Sequence, residues 1–247
     1  MGRPASNLWV DIGWPVTVEV LAHLDYDSYT IDLQHSLIDR AALPSLLQAL
    51  SHGNGAPLVR VTQNDPGQIG FVLDAGAYGV ICPTVETAMD CARFVSACLY
   101  PPEGSRSWGP LRGLLYGGPD YFSAYREEIL KVALVESALG IENIDEIAAT
   151  PGLDMVYLGP NDLGISYGAA PSYVPNHPRV EMAMERVVTA TRRHDIRAGM
   201  HTASREVARR AAEMGFDFLS LGYASKIMRS AAAQVLEDAG LDDYHTK

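Results

Sequence analysis

The feature that most constrains this chain is an alternation that runs its whole length. Short β-branched or apolar runs take turns with Ala- and Leu-rich helical stretches. The runs that read as strands are Leu8–Ile12, Tyr29–Leu33, Pro57–Val61, Gly79–Cys82, Val132–Val135, Met155–Leu158, Arg197–Met200 and Phe216–Leu221. Helical patterns lie near 17–24, 40–52, 66–75, 86–98, 142–149, 179–194, 203–214 and 225–238. Eight strands, each followed by a helix, is the pattern of a (β/α)8 TIM barrel. A doubly wound sheet shows the same alternation, so the count of eight carries the distinction. The 247 residues match one such barrel, and no boundary, repeat or low-complexity tract divides them. A single barrel domain is therefore expected over 1–247.

Composition agrees and excludes some functions. With 47% hydrophobic and 20% charged residues the chain can bury a sizeable core. Its formal charge of -11, without a basic stripe, argues against nucleic acid and other polyanionic partners. Cys82, Cys91 and Cys98 form neither a metal-type pair nor a disulfide framework and read as buried free thiols. No apolar run approaches the roughly 18 to 20 residues of a membrane span. The N-terminus lacks the layout of a signal peptide, and Gly2 with Ser6 is only a coincidental myristoylation match. A soluble, cytoplasmic protein is expected. The stretch 100–125, rich in Pro and Gly with aromatics among them, is too long for an ordinary connection. It reads either as a lid or interface arm, or as a packed surface excursion.

In a barrel the active site lies at the C-terminal ends of the strands. Strand two runs into Asp32-Leu33-Gln34-His35, strand three reaches Arg60, strand five leads to Glu136, and strand six ends in Gly159-Pro160-Asn161-Asp162. A histidine, an arginine and two carboxylates thus converge on one mouth. Glu136 and Asp162, from neighbouring strands, suit a hard octahedral cation. Alternatively, Glu136 pairs with an arginine and Asp162 caps the following helix. Arg60 reads as a fixed cation beside a developing oxyanion, or as half of a structural ion pair. His35 reads as a proton-transfer group or as a structural hydrogen-bonder. His23, His52, His177, His194 and His201 lack comparable company, and His245 lies near the terminus. Schiff-base chemistry needs a buried lysine at the mouth. Lys131 opens strand five at the wrong end, Lys226 lies in the last helix and Lys247 is terminal. The loops after strands seven and eight, His201-Thr202-Ala203-Ser204 and Gly222-Tyr223-Ala224-Ser225, make no convincing phosphate cradle.

With these residues in view, the chain resembles the HpcH/HpaI aldolase family, the class II pyruvate aldolases. The segments that carry the resemblance begin with Ile31-Asp32-Leu33-Gln34-His35, Pro57-Leu58-Val59-Arg60-Val61 and Leu73-Asp74-Ala75-Gly76-Ala77. They continue through Tyr100-Pro101-Pro102-Glu103-Gly104-Ser105-Arg106-Ser107 and Val135-Glu136 to Pro151-Gly152-Leu153-Asp154 and Leu158-Gly159-Pro160-Asn161-Asp162-Leu163. The resemblance implies a pyruvate-type barrel and a metal-dependent aldolase that cleaves or forms 4-hydroxy-2-oxo acids. It makes Glu136 and Asp162 the metal ligands, with Mg²⁺, Mn²⁺ or Co²⁺ as cofactor. Arg60 becomes the residue that holds the oxo oxygen, and His35 the catalytic histidine with Asp74 as its partner. The peptide groups of Gly159, Pro160, Asn161 and Asp162 form a carboxylate-binding corner. The partners implied are a 2-oxo acid and an aldehyde. Hexamers built from dimers packed through the last helix are also implied, which puts 225–238 at an interface. The chain departs from the family pattern at Gln34 and Ser36, where many members carry glutamate and glycine, and both flank the site. Two other readings stay open: an oxaloacetate decarboxylase or citrate-lyase-like enzyme using the same enolate, and a barrel that binds a metabolite without turning it over.

Overall fold

Eight parallel strands close on themselves in chain order: β1 (Ala5–Val10), β2 (Ser28–Asp32), β3 (Ala56–Arg60), β4 (Gly79–Cys82), β5 (Leu130–Val135), β6 (Met155–Leu158), β7 (Arg197–His201) and β8 (Phe218–Tyr223), with β8 pairing back to β1. This is the expected (β/α)8 barrel, seen in a computed structural model that describes residues 2–172, 177–202 and 204–240. The outer ring comprises α1 (Pro15–Ala22), α2 (Leu43–Leu50), α3 (Pro66–Asp74), α4 (Ala88–Cys98), α5 (Leu111–Gly117), α6 (Tyr121–Glu128), α7 (Ala138–Glu142), α8 (Ile144–Ala148), α9 (Pro160–Ser166), α10 (Pro178–Arg193), α11 (Arg205–Met214) and α12 (Ala224–Asp238). Several helices start where a short polar side chain can accept a free backbone N–H. Asp65 accepts from Gln68 N, Thr87 from Asp90 N, Ser137 from Gly140 N and Ser204 from Val207 N.

Alternate residues of each strand face in and out, and this phase decides which side chains can reach the mouth. Trp9, Leu58, Ile81, Leu134, Tyr157 and Phe218 belong to the inner core. Their neighbours Leu8, Val10, Val59, Val80, Val135 and Val156 face the helices instead. Gly199 sets the phase of β7, because a Cβ there would lie 2.8 Å from both the Tyr157 ring and Met155 Sδ. Two residues on, His201 therefore also faces inward. A buried polar network crosses the barrel below the mouth. The Trp9 indole N–H donates to the Tyr157 hydroxyl at 3.3 Å, which donates to Ser220 Oγ at 2.7 Å. Asn7 donates to the same Ser220 Oγ at 2.8 Å and accepts from Ser28 and Thr30. With its members satisfied by one another, such a network holds Trp9 in one orientation.

The stretch 100–125 contains α5 and the start of α6. Tyr121 packs so closely that a Cβ on Gly113 or Gly117 would meet its ring at 2.8 and 2.9 Å. The helical pattern at 142–149 is α8, preceded by the short α7 and parted from it at Asn143, whose amide donates to Glu86 O at 2.8 Å. Helix α12 is as expected in length but packs little on its own chain. Asp11 fastens its start by accepting from Ser225 N at 3.0 Å and from Ser225 Oγ. Beyond the buried Ala224 and half-buried Ser225 the helix is exposed on every face, including Ile227, Met228, Val235 and Leu236.

Candidate active site

The mouth is organised around an ion pair between adjacent strand ends. Asp32 and Arg60 are register partners in β2 and β3. Arg60 donates through Nε to Asp32 Oδ1 at 2.9 Å and through Nη2 to Oδ2 at 2.6 Å. Asp32 is fully buried and Arg60 is 4% exposed. Burial works most strongly against the charge on Arg60, yet the Asp32 hydrogen bonds and charge, with smaller help from Tyr223 and Glu136, raise its pKa. The guanidinium carbon also lies 4.4 Å from the centroid of the Trp9 ring. Clamped on one edge and stacked on one face, the guanidinium keeps Nη1 without a protein partner among the described residues. The structural pairing considered for Arg60 thus exists, but with Asp32 and not with Glu136.

Glu136 follows β5 and is 8% exposed. Its Oε1 accepts the Thr84 N–H at 3.0 Å. Thr84 holds a φ of 53°, a conformation a β-branched residue adopts only at a cost of about 1–3 kcal/mol. Burial pushes the Glu136 carboxyl up to about 7; the Thr84 N–H and Arg60 oppose the rise, and the charge of Asp162 adds to it. A buried carboxyl whose proton affinity is raised further by a neighbouring carboxylate suits a cation shared with that neighbour. Gly159 leaves the space this needs, since a Cβ there would come within 2.9 Å of Glu136 Oε2. Asp162 lies exposed in the first turn of α9 and does not cap it; the N-cap is Gly159, without a side-chain bond. Among the described residues no group of three or more His, Cys, Asp or Glu side chains is placed to hold a metal. A cation here would take its remaining oxygens from water and ligand.

His35 lies exposed on the rim. Its backbone N–H, with that of Gln34, donates to Asp32 Oδ1, at 3.2 and 2.9 Å. Asp32 therefore positions both Arg60 and the turn that carries His35, a role the sequence did not single out. Ser36 fixes the same turn, donating to Asp32 O and accepting from Ile38 N at 3.0 Å. Helix α3 starts at the mouth and runs toward the other end of the barrel, so Asp74, its last residue, is carried about 13 Å down. There it accepts from Arg106 Nη2 at 2.7 Å, under a guanidinium stacked 4.6 Å from the Tyr100 ring. Within one chain the structure does not bring Asp74 to His35.

His201, which the sequence leaves without comparable company, is 8% exposed and faces the mouth beside Tyr223, at 4.7 Å between ring centroids, and Trp9, at 6.1 Å. Burial, with the positive charges of Lys226 and Arg60, pushes its pKa down to about 4. The strand read from sequence stopped at Met200; extending the inward phase from Gly199 by two residues would have found it. Lys226, in the first turn of α12, holds its ammonium 4.9 Å above the Tyr223 ring, closer to the mouth than its helix alone suggested. Lys131 is sealed at the opposite end, donating to Ile129 O at 2.7 Å and paired with Asp154 at 2.6 Å. A separate cleft lined by Leu73, Tyr78, Tyr116, Tyr121 and Tyr125 opens away from the mouth and gathers no comparable set of charges.

Comparison with known proteins points the same way. The sequence model of the HpcH/HpaI aldolase/citrate lyase family matches residues 5–231. A hydroxypyruvate/pyruvate aldolase of Rhizorhabdus wittichii is 37% identical, covering 96% of this chain and 95% of that one. A 5-keto-4-deoxy-D-glucarate aldolase of Klebsiella pneumoniae is 35% identical over 94% of this chain and 90% of its own. The crystal structure of an HpcH/HpaI aldolase/citrate lyase family protein from Burkholderia cenocepacia superposes with a TM-score of 0.90 at 32% identity, covering 96% of this chain and 95% of that chain.

Proposed function

Because the chain belongs to the HpcH/HpaI aldolase/citrate lyase family, we propose that its mouth is a metal-dependent aldolase site that cleaves or forms 4-hydroxy-2-oxo acids through a pyruvate-type enolate. The observation that carries this is the buried Glu136 carboxylate at the mouth, within electrostatic reach of both Asp162 and the clamped Arg60 guanidinium. Mg²⁺, Mn²⁺ or Co²⁺ held by Glu136 and Asp162 would supply Lewis-acid stabilisation of the enolate. The chain's own residues do the rest. Arg60 offers Nη1 to the oxo oxygen, where a preorganised donor in a largely buried site is worth most. The peptide N–H groups that open α9, around Asn161 and Asp162, bind the acid's carboxylate beside Gly159 and Pro160. His35 takes the proton from the hydroxyl of the aldol as the carbon–carbon bond breaks, and returns it in the reverse direction.

Asp74 as the partner of His35 fits this reading only if it comes from another copy of the chain. Helix α12, with its apolar residues uncovered, is the face through which dimers would pack and hexamers assemble. Complementation in trans tests this: a mixture of His35→Ala and Asp74→Asn chains should recover activity that neither shows alone.

The function is tested by stripping the protein with chelator, then restoring Mg²⁺, Mn²⁺ or Co²⁺ while following aldol cleavage, with oxaloacetate decarboxylation measured alongside. Cleavage lost and regained identifies the aldolase. Restored decarboxylation without cleavage supports the alternative lyase, and no rate at all supports a binding protein. Borohydride added with pyruvate should leave Lys226 unmodified; a trapped adduct would point to Schiff-base chemistry instead.

A further inference from the structure

The end of β4 carries an irregularity that the proposed reaction leaves unexplained. Along β4 and β5 the parallel ladder repeats every two residues, and it starts with the Leu130 N–H donating to Tyr78 O at 2.9 Å. Continued in step, the N–H of Thr84 would donate to Leu134 O. The N–H of Val85 does so instead, at 3.1 Å. One extra residue thus lies between Cys82 and Val85, a β-bulge at the rim of the barrel. Burial agrees. Cys82 and Val85, three apart, are both sealed in the layer under the helices, whereas an unbroken strand would send them to opposite faces. Thr84 is left exposed between them and the mouth.

The bulge sets one donor free. Pro83 has no N–H, so the group released from the ladder is the N–H of Thr84, and it goes to Glu136 Oε1 at 3.0 Å. Turned this way, Thr84 holds a φ of 53°, which glycine, asparagine or aspartate adopts at less cost than a β-branched residue. Such strain persists where the surroundings over-determine it, and it gathers at functional sites. A bulge that only ended the sheet could leave its N–H to water, since Thr84 is exposed; this one reaches a carboxylate that is 8% exposed. With Oε1 held from β4, Oε2 is the oxygen beside the opening that Gly159 preserves, where a Cβ would come within 2.9 Å of it. We infer that Thr84 is a positioning residue, its bulge diverting a ladder N–H to fix the Glu136 carboxylate in one orientation with Oε2 presented to the cation. The inference rests on the metal-site reading above. Thr84 acts through its backbone, so the extra residue and its N–H carry the role and the side chain does not.

Deleting Thr84 from the full-length protein separates this role from support of the fold. The shortened connection restores the regular ladder with Val85 still on Leu134 O, so Tm should stay close to that of the wild type. Mg²⁺ should bind about ten- to a hundredfold more weakly by titration calorimetry, the range for losing one hydrogen bond to a charged group. Thr84→Gly keeps the extra residue and its N–H and takes the same φ without strain, so its affinity should stay within about twofold and its Tm should not fall. Amide hydrogen exchange gives a readout that leaves the bulge intact. The Thr84 amide should exchange at least about tenfold more slowly in the wild type than in Glu136→Ala, while Val85 is protected equally in both. That comparison decides the matter if the deletion fails to fold. An unchanged Mg²⁺ affinity in the folded deletion would overturn the inference alone, as would a Thr84 amide that exchanges equally fast with and without the Glu136 carboxylate. A wild type that binds none of Mg²⁺, Mn²⁺ or Co²⁺ would overturn the metal-site reading and this role with it.

Discussion

Replacing Asp32 by Asn probes the organisation of the mouth most sharply, because one carboxylate holds two functional groups at once. It accepts from Arg60 Nε and Nη2 and from the backbone N–H groups of Gln34 and His35. Asparagine keeps the shape but removes the charge, and its NH₂ faces donors where an oxygen stood. Leaving one member of a buried pair uncompensated costs about 3–5 kcal/mol. The Trp9 face still stabilises the guanidinium by about 1–2 kcal/mol, as it does in the wild type, so that contribution does not reduce the loss. The amide oxygen can still accept, so the lower end, about 3 kcal/mol, is expected. For a domain of this size that corresponds to a fall in Tm of roughly 6–12 °C. Urea titration should show the loss in midpoint with an unchanged m-value. Repeated in an Arg60→Met background, the same substitution should cost far less, since there is no buried charge left to strand. Turnover should fall as well, because Arg60 and the His35 turn both lose their anchor. A change below about 0.5 kcal/mol, the range of an ordinary surface substitution, would refute the reasoning.

Other consequences follow from the same geometry. Gly159→Ala should weaken Mg²⁺ binding at least about tenfold by titration calorimetry, because its Cβ would meet Glu136 Cβ and Oε2 at 2.9 Å while its backbone φ of -97° suits alanine. His201, with its pKa pushed down from 6.5 to about 4, contributes stability that is fully present above pH 6.5 and is lost as the pH falls toward 4. Relative to His201→Phe, the wild type should therefore lose on the order of 3 kcal/mol over that window, read from urea midpoints at each pH. The thiols of Cys91 and Cys98, pushed up to about 11 and 12 chiefly by burial, should resist thiol reagents at neutral pH until the protein unfolds. Native labelling at a rate near that of a free thiol would contradict the placement.

The barrel was legible because a strand buried on both faces must be apolar almost throughout, and eight such runs admit few arrangements. Arg60 and Glu136 stood out for the same reason, as charges at the ends of those runs. Partnerships were less visible. Asp32 meets Arg60 through the register of β2 on β3, and nothing local in either segment announces it. His201 escaped because the strand containing it was ended one residue early; the inward phase was present in Gly199. Helix α5 was hidden behind Gly113 and Gly117, which in isolation oppose a helix but here admit the Tyr121 ring. Asp74 is a different case: the resemblance makes it the partner of His35, and the direction of α3 carries it to the far end of the chain's own barrel, so that pairing turns on a second copy of the chain.

Anomalous diffraction at the manganese edge, from crystals grown with Mn²⁺ and pyruvate, reaches the heart of the matter. A single peak lying between the side chains of Glu136 and Asp162, with the bound acid's oxo oxygen turned toward Arg60, is the predicted result. A map with no peak there, or with the metal seated elsewhere while Glu136 keeps only its Thr84 contact, would contradict it.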